Sequence, residues 1–152
     1  MDPWNLETLK NEIRDILDVS TESYRADTLT MIGGEVPDVV VQIKRSKVTV
    51  AVYSAKLDME DDLVVCPLPI ASLNWRRIPK DELLVPLASL IATARLIRQS
   101  NHRKCRYCPK VVAPEYLDDD ESCWICAREI LGKPSVFAER RYFKTLQRPG
   151  HP

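Results

Sequence analysis

Four of the five cysteines stand in two pairs, Cys105-Arg106-Tyr107-Cys108 and Cys123-Trp124-Ile125-Cys126, with fourteen residues between them. Two intervening residues let one tight turn present both sulfurs to a single ion. Two such turns complete a tetrahedron with Zn–S distances of about 2.3 Å. The spacing therefore predicts one Zn2+ held by Cys105, Cys108, Cys123 and Cys126. Its role is expected to be structural, because four thiolates close the shell and leave no place for a reacting water. Dithiol redox chemistry and an iron–sulfur centre are the alternatives for the same residues. His102 lies outside the paired spacing, and Arg103-Lys104 follow it where a zinc deaminase has x-Glu. Cys66 ends an apolar run before Pro67 and reads as a small core hydrophobe.

The residues after each pair differ. Cys108 leads into Pro109-Lys110-Val111-Val112, a loose turn entering an extended segment. Cys126 opens Ala127-Arg128-Glu129-Ile130-Leu131-Gly132, a short helical run with a terminal Gly. A knuckle in front and a ligand pair at a helix start resemble the treble-clef class of zinc fingers, over residues 103–132 only. That resemblance implies a fold and a metal but no function, since the class includes nucleic-acid-binding, protein-binding and enzymatic members. One departure stands out. Regular knuckles often place Gly after the second cysteine, whereas Pro109 cannot take a left-handed backbone and has no N–H to donate.

Cations and aromatic rings flank the cysteines. Arg95, Arg98, Arg103, Lys104, Arg106 and Lys110 occur with no acidic residue among them, and Tyr107 sits within the run. A second set, Phe137, Arg140, Arg141, Tyr142, Phe143, Lys144 and Arg148, lies in the tail, where Ser135–Leu146 reads as one amphipathic helix before a frayed end. Cations beside rings suit nucleic acid, where they neutralise phosphate and stack on bases. Against this, Asp118-Asp119-Asp120-Glu121 interrupts the finger with four negative charges. A protein partner is therefore the first expectation for this surface and nucleic acid the second.

The elements that must carry these residues are read from periodicity. Leu6, Leu9, Ile13, Ile16 and Leu17 recur at helical spacing and predict a helix over 4–18, with Asp2 as cap and Pro3 in the first turn. Short β-type runs follow at Tyr24–Ile32, Val36–Ile43, Val48–Ser54 and Leu63–Cys66, with short connectors that favour antiparallel pairing. Val48, Val50 and Val52 are expected to share one face. A second helix is predicted from Pro86 to Gln99, with Leu87, Leu90, Ile91, Ala94 and Ile97 as its apolar stripe. The fold class is α+β: a small antiparallel sheet flanked by two helices, then the finger and a short C-terminal helix. The implied domains are 1–99, 100–133 and 134–152.

Composition bounds what remains. The 152 residues are 45% hydrophobic and carry 22 basic and 22 acidic groups, enough apolar content for a core and against wholesale disorder. The charge is uneven, with 10 basic and 15 acidic groups in residues 1–94 but 12 and 7 afterwards. No basic leader or membrane-length apolar run is evident, so a cytoplasmic protein without a membrane partner is expected. The N-terminal region holds no His, which excludes a nucleophile–His–carboxylate arrangement within it. Pro37-Asp38 with Gln42-Ile43-Lys44 departs from a metal-dependent nuclease pattern by offering Gln where a carboxylate is needed. The acidic stretch 58–62 lacks the ligand spacing of a calcium loop and reads as a solvated turn. No small-molecule substrate is evident. The reading is a non-enzymatic, zinc-binding interaction or regulatory protein, with a nucleic-acid-binding accessory protein as the alternative.

Overall fold

The computed structural model describes residues 5–60, 62–117 and 121–132. The described residues within Met1–Ser54 and Pro67–Arg98 form one compact unit, and those within Ala55–Cys66 and Gln99–Pro152 form a second. The chain is α+β; its described residues form a five-stranded antiparallel sheet, two two-stranded sheets, three α-helices and the cysteine cluster in the C-terminal region.

In the first unit, helix α1 (Leu6–Leu17) precedes strands β1 (Val19–Arg25), β2 (Thr28–Gly33), β3 (Val39–Ile43) and β4 (Lys47–Val52). Strand β7 (Leu68–Asn74) and helix α2 (Lys80–Ser100) complete the order. The sheet runs β1-β2-β3-β4-β7, every pair antiparallel. Register explains the core. Leu29 opposes Ile43, which opposes Val48, and Met31, Val41 and Val50 form the next such row. These side chains share one face and pack with Leu9, Ile13 and Leu17 of α1 and Leu83, Leu87, Ile91 and Ala94 of α2. Val48, Val50 and Val52 do share that face, as the alternation required.

Several boundaries differ from the sequence reading, each for a local reason. Helix α1 is capped by Asn5, whose Oδ1 accepts the Thr8 N–H at 2.8 Å; Asp2 and Pro3 lie outside the described residues. The run 24–32 is two strands rather than one, because the chain turns at Ala26-Asp27, with Ala26 at φ 55°. Strand β7 carries Pro69 yet pairs with β4, a placement that an edge strand tolerates. The expected strand at 63–66 is β6 (Leu63–Val65), which pairs with β5 (Ala55–Leu57) in a separate two-stranded sheet of the second unit.

The second helix begins six residues before the proline expected to start it. The Pro79 carbonyl accepts the N–H groups of Glu82 and Leu83, each at 3.0 Å, so Pro86 falls inside α2. An interior proline removes a hydrogen bond and strains the preceding turn. Burial of Leu83, Leu87, Ile91 and Ala94 at helical spacing offsets that cost. The buried stripe continues to Arg98 rather than to Ile97, which is 37% exposed.

The cysteine-bearing region is built from small elements. Strands β8 (Arg103–Lys104) and β9 (Val111–Val112) form a hairpin, a single 3-10 turn covers Pro114–Tyr116, and helix α3 covers Trp124–Glu129. The tail helix expected over 135–146, with Arg140, Arg141 and Lys144, lies outside the described residues.

Candidate metal centre

The first cysteine pair occupies the loop of the β8–β9 hairpin. Cys105 donates its N–H to the Lys110 carbonyl at 2.8 Å, which closes the loop around Arg106, Tyr107, Cys108 and Pro109. Pro109 is accommodated because no residue of the loop has a positive φ. The second pair belongs to α3. Cys123 is its N-cap residue and Cys126 lies in its first turn, with Ala127 N–H donating to the Cys123 carbonyl at 2.9 Å. An isolated bridge between Leu117 and Cys123 brings the α3 start to the returning chain.

This arrangement makes the four sulfurs converge. All lie within 4.8 Å of one another, and Cys108 Sγ is 3.8 Å from Cys123 Sγ. None is in a disulfide. Cys105, Cys123 and Cys126 are buried, and Leu117, Val112 and Ile125 pack against the group. A metal of thiolate preference fits this donor set, which includes no carboxylate or imidazole among the described residues. His102, immediately before β8, is not part of the cluster.

The backbone prepares one sulfur for negative charge. Burial alone raises the Cys105 thiol, but N–H groups of Cys123, Tyr107 and Cys108 outweigh it and bring it down to about 6. The first two stand 3.3 and 3.4 Å from its Sγ. Burial pushes Cys126 and Cys123 upward, in Cys123 against the opposing N–H of Cys126. Four thiolates this close repel one another, and a divalent cation between them removes the conflict and displaces their protons.

The basic run is divided by the unit boundary. Arg95 lies in α2 and serves the first unit, where its Nε donates to Asp38 Oδ2 at 3.0 Å. Its guanidinium also donates to the carbonyls of Ile16 and Leu17 at the end of α1. Arg98 is only 3% exposed; it donates to the Pro37 carbonyl and lies over the Tyr53 ring. Arg103, Lys104, Arg106, Tyr107 and Lys110 are instead brought together on the β8–β9 hairpin, all exposed. Arg103 pairs with Glu121 at 2.5 Å.

Glu121 and Leu117 are parts of the site that the sequence reading missed. Glu121 has φ 60°, and its carbonyl accepts the Arg106 N–H at 2.9 Å, tying the first loop to the segment before Cys123. A left-handed glutamate has no sequence signature. Leu117, an apolar residue six before Cys123, offered the better signal.

Three exposed carboxylates, Asp58, Glu60 and Asp62, also lie close together. Asp58 Oδ1 already accepts the N–H groups of Glu60 and Asp62, as expected of a tight turn. No protein-family model, no curated protein and no solved structure matches the chain.

Proposed function

We propose that this protein is a non-enzymatic zinc protein in which one Zn2+, held by Cys105, Cys108, Cys123 and Cys126, stabilises a treble-clef-like finger. The finger serves as a protein-interaction or regulatory module. The observation that carries this reading is the convergence of four sulfurs within 4.8 Å, three of them buried. A tetrahedron with Zn–S bonds of about 2.3 Å has sulfur–sulfur edges of about 3.8 Å. The Cys108–Cys123 separation of 3.8 Å agrees with that edge. A filled four-sulfur shell has no open position for substrate or water, which supports a structural rather than a catalytic ion.

The apolar complement of the finger is small, consisting chiefly of Leu117, Val112 and Ile125 beside the cysteines. A segment of this size folds only with added support, and structural zinc supplies on the order of 10 kcal/mol at neutral pH. Metal-bound thiols are maintained in a reducing compartment, so the cytoplasm is the proposed location. Cobalt substitution tests the ligand set directly. Four-thiolate Co2+ gives intense charge-transfer and tetrahedral d–d bands, and replacing any of the four cysteines with Ser should weaken or shift them. Bands unaffected by all four substitutions would refute the assignment.

Nucleic acid is the second reading, supported by the clustering of Lys104, Arg106, Tyr107 and Lys110 on one exposed hairpin. About three phosphate contacts there would give log K a slope of roughly −2.7 against log[salt]. Glu121 on the adjoining segment, paired with Arg103, favours a protein partner over a polyanion. Single-stranded and duplex oligonucleotides at low salt discriminate the two readings, since absence of binding to either eliminates the second.

A further inference from the structure

The first unit has its own concave site, formed entirely by residues outside the unit that carries the cysteines. It is a cleft of about 140 Å3 where the β1–β2 turn, the β3–β4 turn and the chain leaving β7 come together. Its exposed apolar wall is supplied by Leu6 and Tyr24, over a floor of Leu29, Ile43 and Trp75 that is nearly fully buried. Trp75 is fixed by its indole N–H, which donates to the Lys44 carbonyl at 3.1 Å. The Arg76 guanidinium lies 4.4 Å from the indole ring while its Nε donates to the Arg45 carbonyl. Trp75 is therefore a fixed, buried floor beneath the cleft.

The rim is strongly asymmetric in charge. Lys44, Arg45 and Arg76 line the cleft against a single carboxylate, Asp27. Among the described residues, none of the three cations has an ion-pair partner. Lys47 and Arg77, both exposed, add two further positive charges in the same two segments. Composition does not account for this, because residues 1–94 are acidic overall. The fold gathers five of their ten cations at two adjoining positions.

Size narrows the occupant. A drug-sized ligand needs a cavity of about 300–1,000 Å3, whereas one of about 150 Å3 holds a single benzene ring. The space therefore suits one apolar side chain, and the rim suits carboxylates on either side of it. We propose that this cleft is a docking site for an acidic peptide segment of a protein partner, which inserts one aromatic or large aliphatic side chain against Tyr24 and Leu6. Anchor side chains in small desolvated pockets carry much of the energy in such contacts, and complementary rim charge accelerates encounter.

The test uses the full chain labelled with 15N and a synthetic peptide, Asp-Glu-Asp-Phe-Asp-Glu-Asp. Binding should shift the Trp75 indole resonance and the amides of Lys44–Lys47. The same peptide with Ala in place of Phe should bind at least tenfold more weakly. Charge reversal at the exposed turn (Lys44→Glu with Arg45→Glu) should weaken the Phe peptide at least tenfold and leave the melting temperature unchanged. Equal affinity for the two peptides, or no effect of charge reversal, would overturn the proposal. So would binding of phenyl phosphate as tight as the peptide, which would mark a small-molecule site, or tighter binding of oligothymidylate. Loss of the free-state Trp75 shift on deleting residues 1–4 would identify the chain's own N-terminus as the occupant and equally overturn it.

Discussion

Residue type alone did not determine which cations are available for binding. Arg95 and Arg98 belong to the same basic run as Arg106 and Lys110, yet they satisfy acceptors within the first unit. Arg95 holds the partly buried Asp38 and the last carbonyls of α1 together. Arg95→Ala leaves those groups unpaired and should cost about 1–3 kcal/mol in urea denaturation. A more exposed pair behaves differently. Arg14 donates to both oxygens of Glu22 at 2.5 and 2.9 Å and holds its carboxyl below the usual range. The folded state then binds fewer protons than the unfolded one as pH falls past about 4.3. The stabilisation is complete above that pH and is lost as pH drops through the lower folded value. Glu22→Gln should therefore cost less than about 1 kcal/mol at pH 7 and nothing once the pH lies below the lowered folded-state value. The cysteines were legible because metal geometry imposes their spacing. The destinations of Arg95 and Arg98 were not, because the acceptors lie some sixty to eighty positions away.

At the scale of elements, hydrophobic period was a dependable guide and turn chemistry was not. The α1 stripe and the Val48-Val50-Val52 alternation could be read directly, since burial on one face leaves that signature. The turn at Ala26-Asp27 lacks Gly or Asn, so two strands read as one. Pro86 resembled a helix start because helices tolerate proline there, and only tertiary burial lets α2 continue through it. Close approach sets another local constraint. A methyl group at Gly33 would lie 2.4 Å from the Leu17 carbonyl oxygen and 2.6 Å from Leu17 Cγ, with backbone on one side and core on the other. Gly33→Ala should lower stability by about 1–3 kcal/mol, measured by thermal or urea denaturation. The finger hairpin has only two residues in each strand and little apolar support. Chelation should unfold residues 103–132 and leave the β1-β2-β3-β4-β7 sheet protected from amide exchange. Loss of protection throughout that sheet would show that its stability also depends on the metal.

For the whole molecule, a net charge of zero conceals two distributions. Residues 1–94 are acidic overall, yet they gather Lys44, Arg45, Lys47, Arg76 and Arg77 in two adjoining segments. Residues 95–152 are basic overall, yet their first two arginines serve the acidic unit. Placement therefore defines the two proposed recognition surfaces: a cleft rimmed by cations on one unit, and an exposed basic hairpin beside the cysteines on the other. On the proposed reading the second surface depends on the metal, because two of the four sulfurs lie in the loop between β8 and β9. Metal content is thus the most direct measurement. Protein purified without added metal and analysed by native mass spectrometry and elemental analysis should contain one zinc per chain. Cys105→Ser and Cys123→Ser should each abolish that stoichiometry. A metal-free protein with all four thiols freely titratable under native conditions would contradict the metal centre outright.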